Sequence, residues 1–440
     1  MAARPRVFTI PSTAPFLPTL ATALMDGSLV PGFAPGRDPL ALATATIYLP
    51  TRRACRLART AFLQASGGEA VLLPRLRALG DIDEDELAFA DVLAGPLASE
   101  ALGLSPAIAL PERRLLLAQL IQRWSASPEM IGDGHAPLVA TTPEAALRLA
   151  DALARLNDDM ITRGVPWERL DQLVPEQHEP YWQLTLKFLK IARDTWPAVL
   201  AERGEIEPAE RRDRLLEAEA ARLVSNAEGP VIAAGSTGSM PATADLLATI
   251  ARLPHGALVL PGVDIELDDT AWDVISAERA PDNPAVSHPQ FALHTLLRGL
   301  QMHRDEVVTL GEQAAAARVR LLSEAMRPAS ATDAWRGIAD RHDRAAAMEG
   351  LAVIEAAGPE EEALCIAISL REALETDGKT AALVTPDRTL ARRVAAALRR
   401  WNIVAEDTAG ESLADAPAGI FARLVIEAGL EGLEPVTLLA

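Results

Sequence analysis

Cysteine is nearly missing from this 440-residue chain: Cys55 and Cys365 are its only two, 310 positions apart. Such spacing excludes a disulfide framework and any zinc site built on paired thiolates, and it suits a reducing cytoplasm. No uninterrupted apolar run reaches membrane-spanning length. The apolar stretch behind Arg4 and Arg6 is broken by Pro11, Pro15 and Pro18, so a signal peptide is not expected either. Excess positive charge is also lacking. Lys and Arg number 42 against 61 Asp and Glu, a formal net charge of -19, so the chain cannot coat a polyanion with its whole surface and any nucleic-acid contact has to be local. Catalytic signatures are thin as well. The seven histidines (135, 178, 255, 288, 294, 303, 342) include no His-Glu-x-x-His and no two-His ligand spacing on one helix face, and no carboxylate pair belongs to a substrate-binding motif. What these absences leave is a soluble, cytoplasmic, multidomain protein with no catalytic residue, cofactor or metal ligand to assign.

What is present is enough apolar side chain, 49% of residues, to give two to four domains a core each. Charge is unevenly spread. Residues 1–80 hold nine arginines (4, 6, 37, 52, 53, 56, 59, 75, 77) against Asp26, Asp38 and Glu69, a balance of +6, which leaves -25 for the rest. The basic island stops at Asp81-Ile82-Asp83-Glu84-Asp85-Glu86, read as an acidic first turn at a helix amino end.

Short apolar runs closed by proline, Val7-Phe8-Thr9-Ile10 before Pro11 and Ala45-Thr46-Ile47-Tyr48-Leu49 before Pro50, predict buried parallel strands. From about 85 to 225 the pattern is helical, with Leu149, Leu153, Leu156 and Met160 on one face and starts at Pro111-Glu112, Thr142-Pro143-Glu144 and Glu179-Pro180. Strand signals return at residues 231–234 and 257–260. After a helix-rich stretch with breaks at Pro281, Pro284 and Pro289, they return once more at 351–354 and 381–384. An α/β domain interrupted by a helical insertion and followed by the beginning of a second α/β unit is therefore expected.

Two glycine-containing segments invite a phosphate-loop reading and fail it. Gly378-Lys379-Thr380 has Ala373 where the first glycine belongs and lies between a helix and a strand in the reverse order, so it reads as a helix-to-strand turn. Gly235-Ser236-Thr237-Gly238-Ser239 has no lysine and no serine at the centre of a nucleophile elbow; a tight strand-to-helix connection is expected there, with Ser239 or Thr243 helping to start the helix. After the first strand, Pro11-Ser12-Thr13-Ala14-Pro15-Phe16 offers neither glycine nor lysine, so a triphosphate would lose both its backbone nest and its cation.

The strongest lead is basic. Arg52, Arg56 and Arg59 step at i, i+4 and i+7 to form one stripe with Arg53 beside it, just past a strand end where open α/β sheets bind ligands; the Thr51 hydroxyl adds a neutral contact. Leu383-Val384-Thr385-Pro386-Asp387-Arg388 and the arginines after it repeat the order of strand, turn and arginine-bearing helix.

Residues 7–11, 47–54, 73–84, 234–239 with 258–264, and 382–388, taken together and in order, resemble the amino-terminal half of the AddB family, of the alphaproteobacterial type. AddB proteins partner AddA in bacterial helicase-nucleases that process double-strand DNA breaks. The resemblance implies an α/β, superfamily-1 helicase-like chain with a RecA-like, P-loop NTPase-type parallel sheet. It divides into a first part of RecA-like domain 1 (1–84), a large helical insertion (85–225), the remainder of that domain (226–275), a helix-rich connector (276–349) and an incomplete second RecA-like domain (350–440). It further implies an ATP-inactive scaffold that contacts single-stranded DNA or a duplex end, with Thr51, Arg52 and Arg53 matching the family's DNA-touching segment and Arg56 and Arg59, read from the stripe's spacing, extending it. ATP and magnesium are then expected on the AddA-type partner and not on this chain, whose end at Ala440 reads as a fragment without its nuclease domain. Two other readings stay open: an active ATP-dependent DNA helicase with a diverged nucleotide site, and a purely protein-binding module.

Overall fold

In the computed structural model the described residues are 4–35, 38, 40–67, 71–79, 103–126, 142–172, 179–227, 229–276, 285–336, 343–410 and 412–431. The acidic run 81–86, the 84/85 boundary, Arg37, Pro281, Pro284, His135, His178 and His342 lie outside them. Two compact units divide the chain, Met1–Met348 and Glu349–Ala440.

The first unit is α/β. Its six strands are β1 (Val7–Ile10), β2 (Thr46–Leu49), β3 (Arg75–Ala78), β4 (Val231–Ala234), β5 (Gly256–Pro261) and β6 (Val308–Thr309), in the spatial order β3-β2-β4-β5-β1-β6. Every pairing is parallel, with Val7 beside Leu258, Thr46 beside Arg75 and Val231, and Phe8 beside Val308. The arrangement is compatible with a Rossmann- or RecA-like α/β fold.

Short apolar runs form β1, β2, β4 and β5 because both faces are covered, which favours continuous hydrophobicity over alternation. Phe8, Ile10, Ile47, Leu49, Ile232 and Val259 face one core, beneath α1 (Phe16–Met25) and α2 (Arg52–Ala65). Val7, Tyr48, Val231, Ala233, Leu258 and Leu260 face the other. That side is covered by α7 (Pro208–Asn226), α8 (Pro241–Arg252), α9 (Asp269–Val274) and α10 (Phe291–Gly299). The turn from α8 into β5 demands Gly256, where a Cβ would lie 1.8 Å from the Ile250 carbonyl oxygen.

Between β3 and α7 come α3 (Leu110–Ser125), α4 (Pro143–Thr162), α5 (Glu179–Lys190) and, through a π-turn at Ile191–Thr195, α6 (Trp196–Arg203). They enclose their own core around Leu117, Ile121, Leu153 and Trp196, and the Ala107–Ile206 bridge closes the excursion. Two tryptophan neighbours illustrate its packing: Trp124 meets Phe188 edge-on at 5.4 Å, while the Trp196 indole donates to Glu207. The last helix of this stretch, α7, belongs to the sheet, because Leu216 and Leu223 enter the core under β4.

Two local expectations fail here, and two strands carry no sequence signal. β3 and β6 were not legible as strands, since Arg75-Leu76-Arg77-Ala78 and Val308-Thr309 carry too few apolar residues; both are edge strands, where one side faces water. β6 also lies within 276–349 and pairs with β1, so that stretch contributes to the sheet rather than only connecting. Helix α8 starts at Pro241 behind Met240 with no side-chain cap; Thr243 is buried, and Ser236, not Ser239, bonds the turn by accepting from Gly238 N–H. Two further helices, α11 (Ala316–Ala325) and α12 (Arg344–Met348), belong to the same unit.

The second unit holds α13 (Pro359–Leu374), α14 (Arg388–Arg399) and α15 (Pro417–Glu431). Ala363, Ala367, Val394 and Leu398 form its core with Leu383 and Ile403 against them, and Arg371 lies over Trp401. The strands expected at 351–354 and 381–384 are not formed; both segments stay outside any ladder. The physical reason is missing cover: a parallel strand is buried on both faces, whereas Val353, Val384 and Val404 are 83%, 93% and 93% exposed. Gly378, with a φ of +74°, makes the turn expected of it after α13, but no strand follows.

Candidate functional site

Loops at the carboxyl edge of a parallel sheet bind ligands where neighbouring connections leave to opposite faces. Here that point lies between β1, whose helix α1 packs on one face, and β5, whose following helices α9 and α10 pack on the other. A cleft of about 220 Å³ opens there, with Ser12 and Thr13 on the β1 side and Val263, Asp264, Ile265 and Glu266 on the β5 side. One face of α11 walls it.

The two loops are sewn together. Gly262 N–H donates to Ile10 O (2.9 Å) and Val263 N–H to Thr9 Oγ1 (3.0 Å). Gly262 has a φ of +54°, a conformation that suits glycine. Gln290 bridges both edges of the turn: its Nε2 donates to Gly262 O (3.0 Å) and its Oε1 accepts from Asp264 N–H (3.1 Å). Thr13 Oγ1 accepts from Ala314 N–H at 3.0 Å, which lays the loop after β6 over the start of α1.

The cleft between β1 and β5 is poor in groups that grip phosphate. Pro11, Pro15 and Pro18 remove three backbone N–H donors from the turn and first helical residues after β1. No side chain caps α1. The earliest lysine in the chain is Lys187, so no phosphate-binding lysine exists in residues 1–186. Asp264 and Glu266 add negative charge where a triphosphate would need positive. The residues present therefore do not suit Mg-ATP. Among the described residues there is also no group of three or more His, Cys, Asp or Glu placed to hold a metal ion.

On the same carboxyl edge, past β2, stands the arginine stripe. Pro50 ends the strand and Thr51 becomes the amino-terminal cap of α2, its Oγ1 accepting from Ala54 N–H at 3.1 Å. The hydroxyl is thus spent as an acceptor and retains its O–H as a donor. Cys55, Ala58, Ala61 and Phe62 anchor the inner face, so Arg52, Arg56 and Arg59 are exposed outward with Arg53 half-buried at their side. Arg52 and Arg53 are engaged in interactions of their own, whereas Arg56 and Arg59 have no ion-pair or hydrogen-bond partner among the described residues. Helix α2 carries no acidic residue at all. Cations near a helix amino end oppose its dipole, by roughly 0.3–1 kcal/mol each, and an anion laid across them removes that penalty.

The segment at 383–393 echoes this construction as far as the cap: Asp387 Oδ1 accepts from Thr389 and Leu390 N–H at the start of α14. There Arg388 is tied up by Asp407, at 3.0 and 2.7 Å.

Sequence reasoning missed a buried cluster behind the stripe. Glu219 of α7 accepts from Tyr48 Oη of β2, from Arg77 of β3 at 3.2 Å and from Arg222 at 2.7 and 2.8 Å. Burial, followed by the nearby Glu219 carboxylate, pushes the Tyr48 phenol above its ordinary range. No sequence signal pairs residues 48, 77 and 219, which only the sheet order brings together. No protein-family model matches the chain, and no curated protein matches it.

Proposed function

We propose that this chain is an ATP-inactive, helicase-like scaffold that contacts DNA within a double-strand-break repair helicase-nuclease, in the manner of the amino-terminal half of AddB, beside an AddA-type partner that carries ATP and magnesium. The carrying observation is α2, an acid-free helix at the carboxyl edge of an all-parallel sheet, with Arg56 and Arg59 exposed and without partners among the described residues. A RecA-like motor would hold its triphosphate behind β1. The three prolines and the two carboxylates there support a fold kept for its surface and not for hydrolysis. The overall charge of -19 agrees with a contact confined to the basic island.

The test is a fluorescence-anisotropy titration of the full chain with labelled single-stranded DNA over a range of salt concentrations. Each phosphate contact contributes about 0.7 to the salt slope for single strands. Arg56→Ala with Arg59→Ala should therefore flatten the slope by about 1.4 and weaken binding at every salt concentration. An unchanged slope and affinity would refute the assignment, and saturable binding of a fluorescent ATP analogue would refute the inactive-motor part of it.

A further inference from the structure

The cleft between β1 and β5 has a composition of its own. Its α11 wall presents Val319, Leu322 and Met326, and the β5 loop adds Val263 and Ile265, so the body of the cleft is apolar. Leu322, Met326 and Ile265 are each about half exposed, 57%, 47% and 47%, at its mouth.

Its polar groups fall into two sets. Some are engaged by the fold: Gln290 and Thr13 as described above, His288 through Met326 O (2.8 Å) and Gln290 N–H (3.1 Å), and Arg318, whose Nε donates to Ala347 O (2.9 Å). Beside the Ser12 hydroxyl, three keep capacity. Asp264 Oδ1 accepts from Glu266 and Leu267 N–H, which leaves Oδ2 without a partner among the described residues. Glu266 Oε1 accepts from Gln313, which leaves Oε2 in the same position. Ser323, 7% exposed and on the α11 face that lines the cleft, has a buried hydroxyl with no hydrogen-bond partner among the described residues. A buried unpaired hydroxyl costs about 1–3 kcal/mol, and such an orphan in a cleft wall marks a place where a partner belongs.

We propose that this cleft binds a small organic cation, a primary ammonium or amidinium on a single ring or short apolar body. The apolar walls take the body, the open oxygens of Asp264 and Glu266 take the charged N–H groups, and Ser323 Oγ pairs with a polar atom at the inner end. Its volume lies below the roughly 300–1,000 Å³ of sites for drug-sized ligands, which limits the ligand to one ring. Anions are disfavoured because the two carboxylates outweigh the one guanidinium, Arg318, that lines the cleft. The inference stands apart from the DNA reading, since it uses neither α2 nor any nucleic acid.

The experiment is isothermal titration of the full chain with benzamidine and phenethylamine, against benzamide and phenylacetate as neutral and anionic counterparts. An arginine-containing tripeptide forms a further arm that separates a free amine from a protein side chain as the source of the cation. Saturable binding of the two cations, at least tenfold tighter than benzamide or phenylacetate, is expected. Asp264→Asn with Glu266→Gln keeps the acceptors that Glu266 N–H, Leu267 N–H and Gln313 use, and should weaken the cations about tenfold or more with unchanged circular dichroism. Ser323→Ala should weaken them several-fold while thermal stability stays level or rises, because an unpaired hydroxyl has been removed. Absence of saturable cation binding, equal binding of benzamide, or full affinity in the double variant would each overturn the proposal. Tighter binding of the peptide than of either free amine would assign the cation to a partner protein and overturn the free-ligand form.

Discussion

Removing the Glu219 carboxylate should loosen the return of the helical excursion onto the sheet. Its side chain is 1% exposed and serves three donors from three elements, Tyr48 on β2, Arg77 on β3 and Arg222 on α7. Glu219→Ala leaves two guanidiniums and a buried phenol without their acceptor. Breaking a buried charge cluster on one side costs about 3–5 kcal/mol. Because Arg77 and Arg222 remain 19% and 17% exposed and can recruit water, the lower end, about 3 kcal/mol, is expected. Tyr48→Phe deletes only the hydroxyl bond to a charged acceptor, worth about 1.5–3 kcal/mol. Combining the two should cost less than their sum, since both remove the same contact.

The assay is urea unfolding followed by circular dichroism, repeated from neutral to alkaline pH. The folded state keeps the Tyr48 proton where the unfolded chain loses it, so stability should be intact below the ordinary tyrosine value of about 10 and fall as pH rises above it. Tyr48→Phe should lack that fall. A Glu219→Ala cost below about 1 kcal/mol, or an alkaline fall of equal size in Tyr48→Phe, would refute this account of the cluster.

Two more predictions concern the excursion and the stripe. Glu207 lies buried against Asn157 (2.6 Å), the Trp196 indole and Arg113 (3.0 Å), and burial raises its carboxyl above the ordinary range; stability should therefore decline as pH climbs from about 4.3 through the raised value, and Glu207→Gln should flatten that decline in a pH series of melting curves. Thr51→Ala should cost about 1 kcal/mol by loss of the cap, and Thr51→Ser should restore it, with thermal denaturation as the measurement.

The central strands were readable because each is a short apolar run buried on both faces, closed by proline in β1 and β2, and the insertion helices because Pro and Thr mark their starts. The edge strands β3 and β6 were not, since half-exposed arginines and a two-residue pairing leave no hydrophobic signature. At 351–354 and 381–384 the same apolar signature misled, because composition records the tendency to pair but not whether a neighbour is there. The arginine stripe was visible from spacing alone. The cleft was not: Ser323 and Asp264 are 59 positions apart, and nothing in either neighbourhood announces that a helix face will be laid against a strand-end turn.

Cys55 sits on the underside of α2, 7% exposed, while the arginines stand on its outer side. A thiol reagent can reach it only when this helix lifts from β2, so the labelling rate at position 55 reads out the opening of that one segment. Polyanion laid across the outer side would hold the helix down and slow the reaction, giving a chemical clock for occupancy that needs no fluorophore.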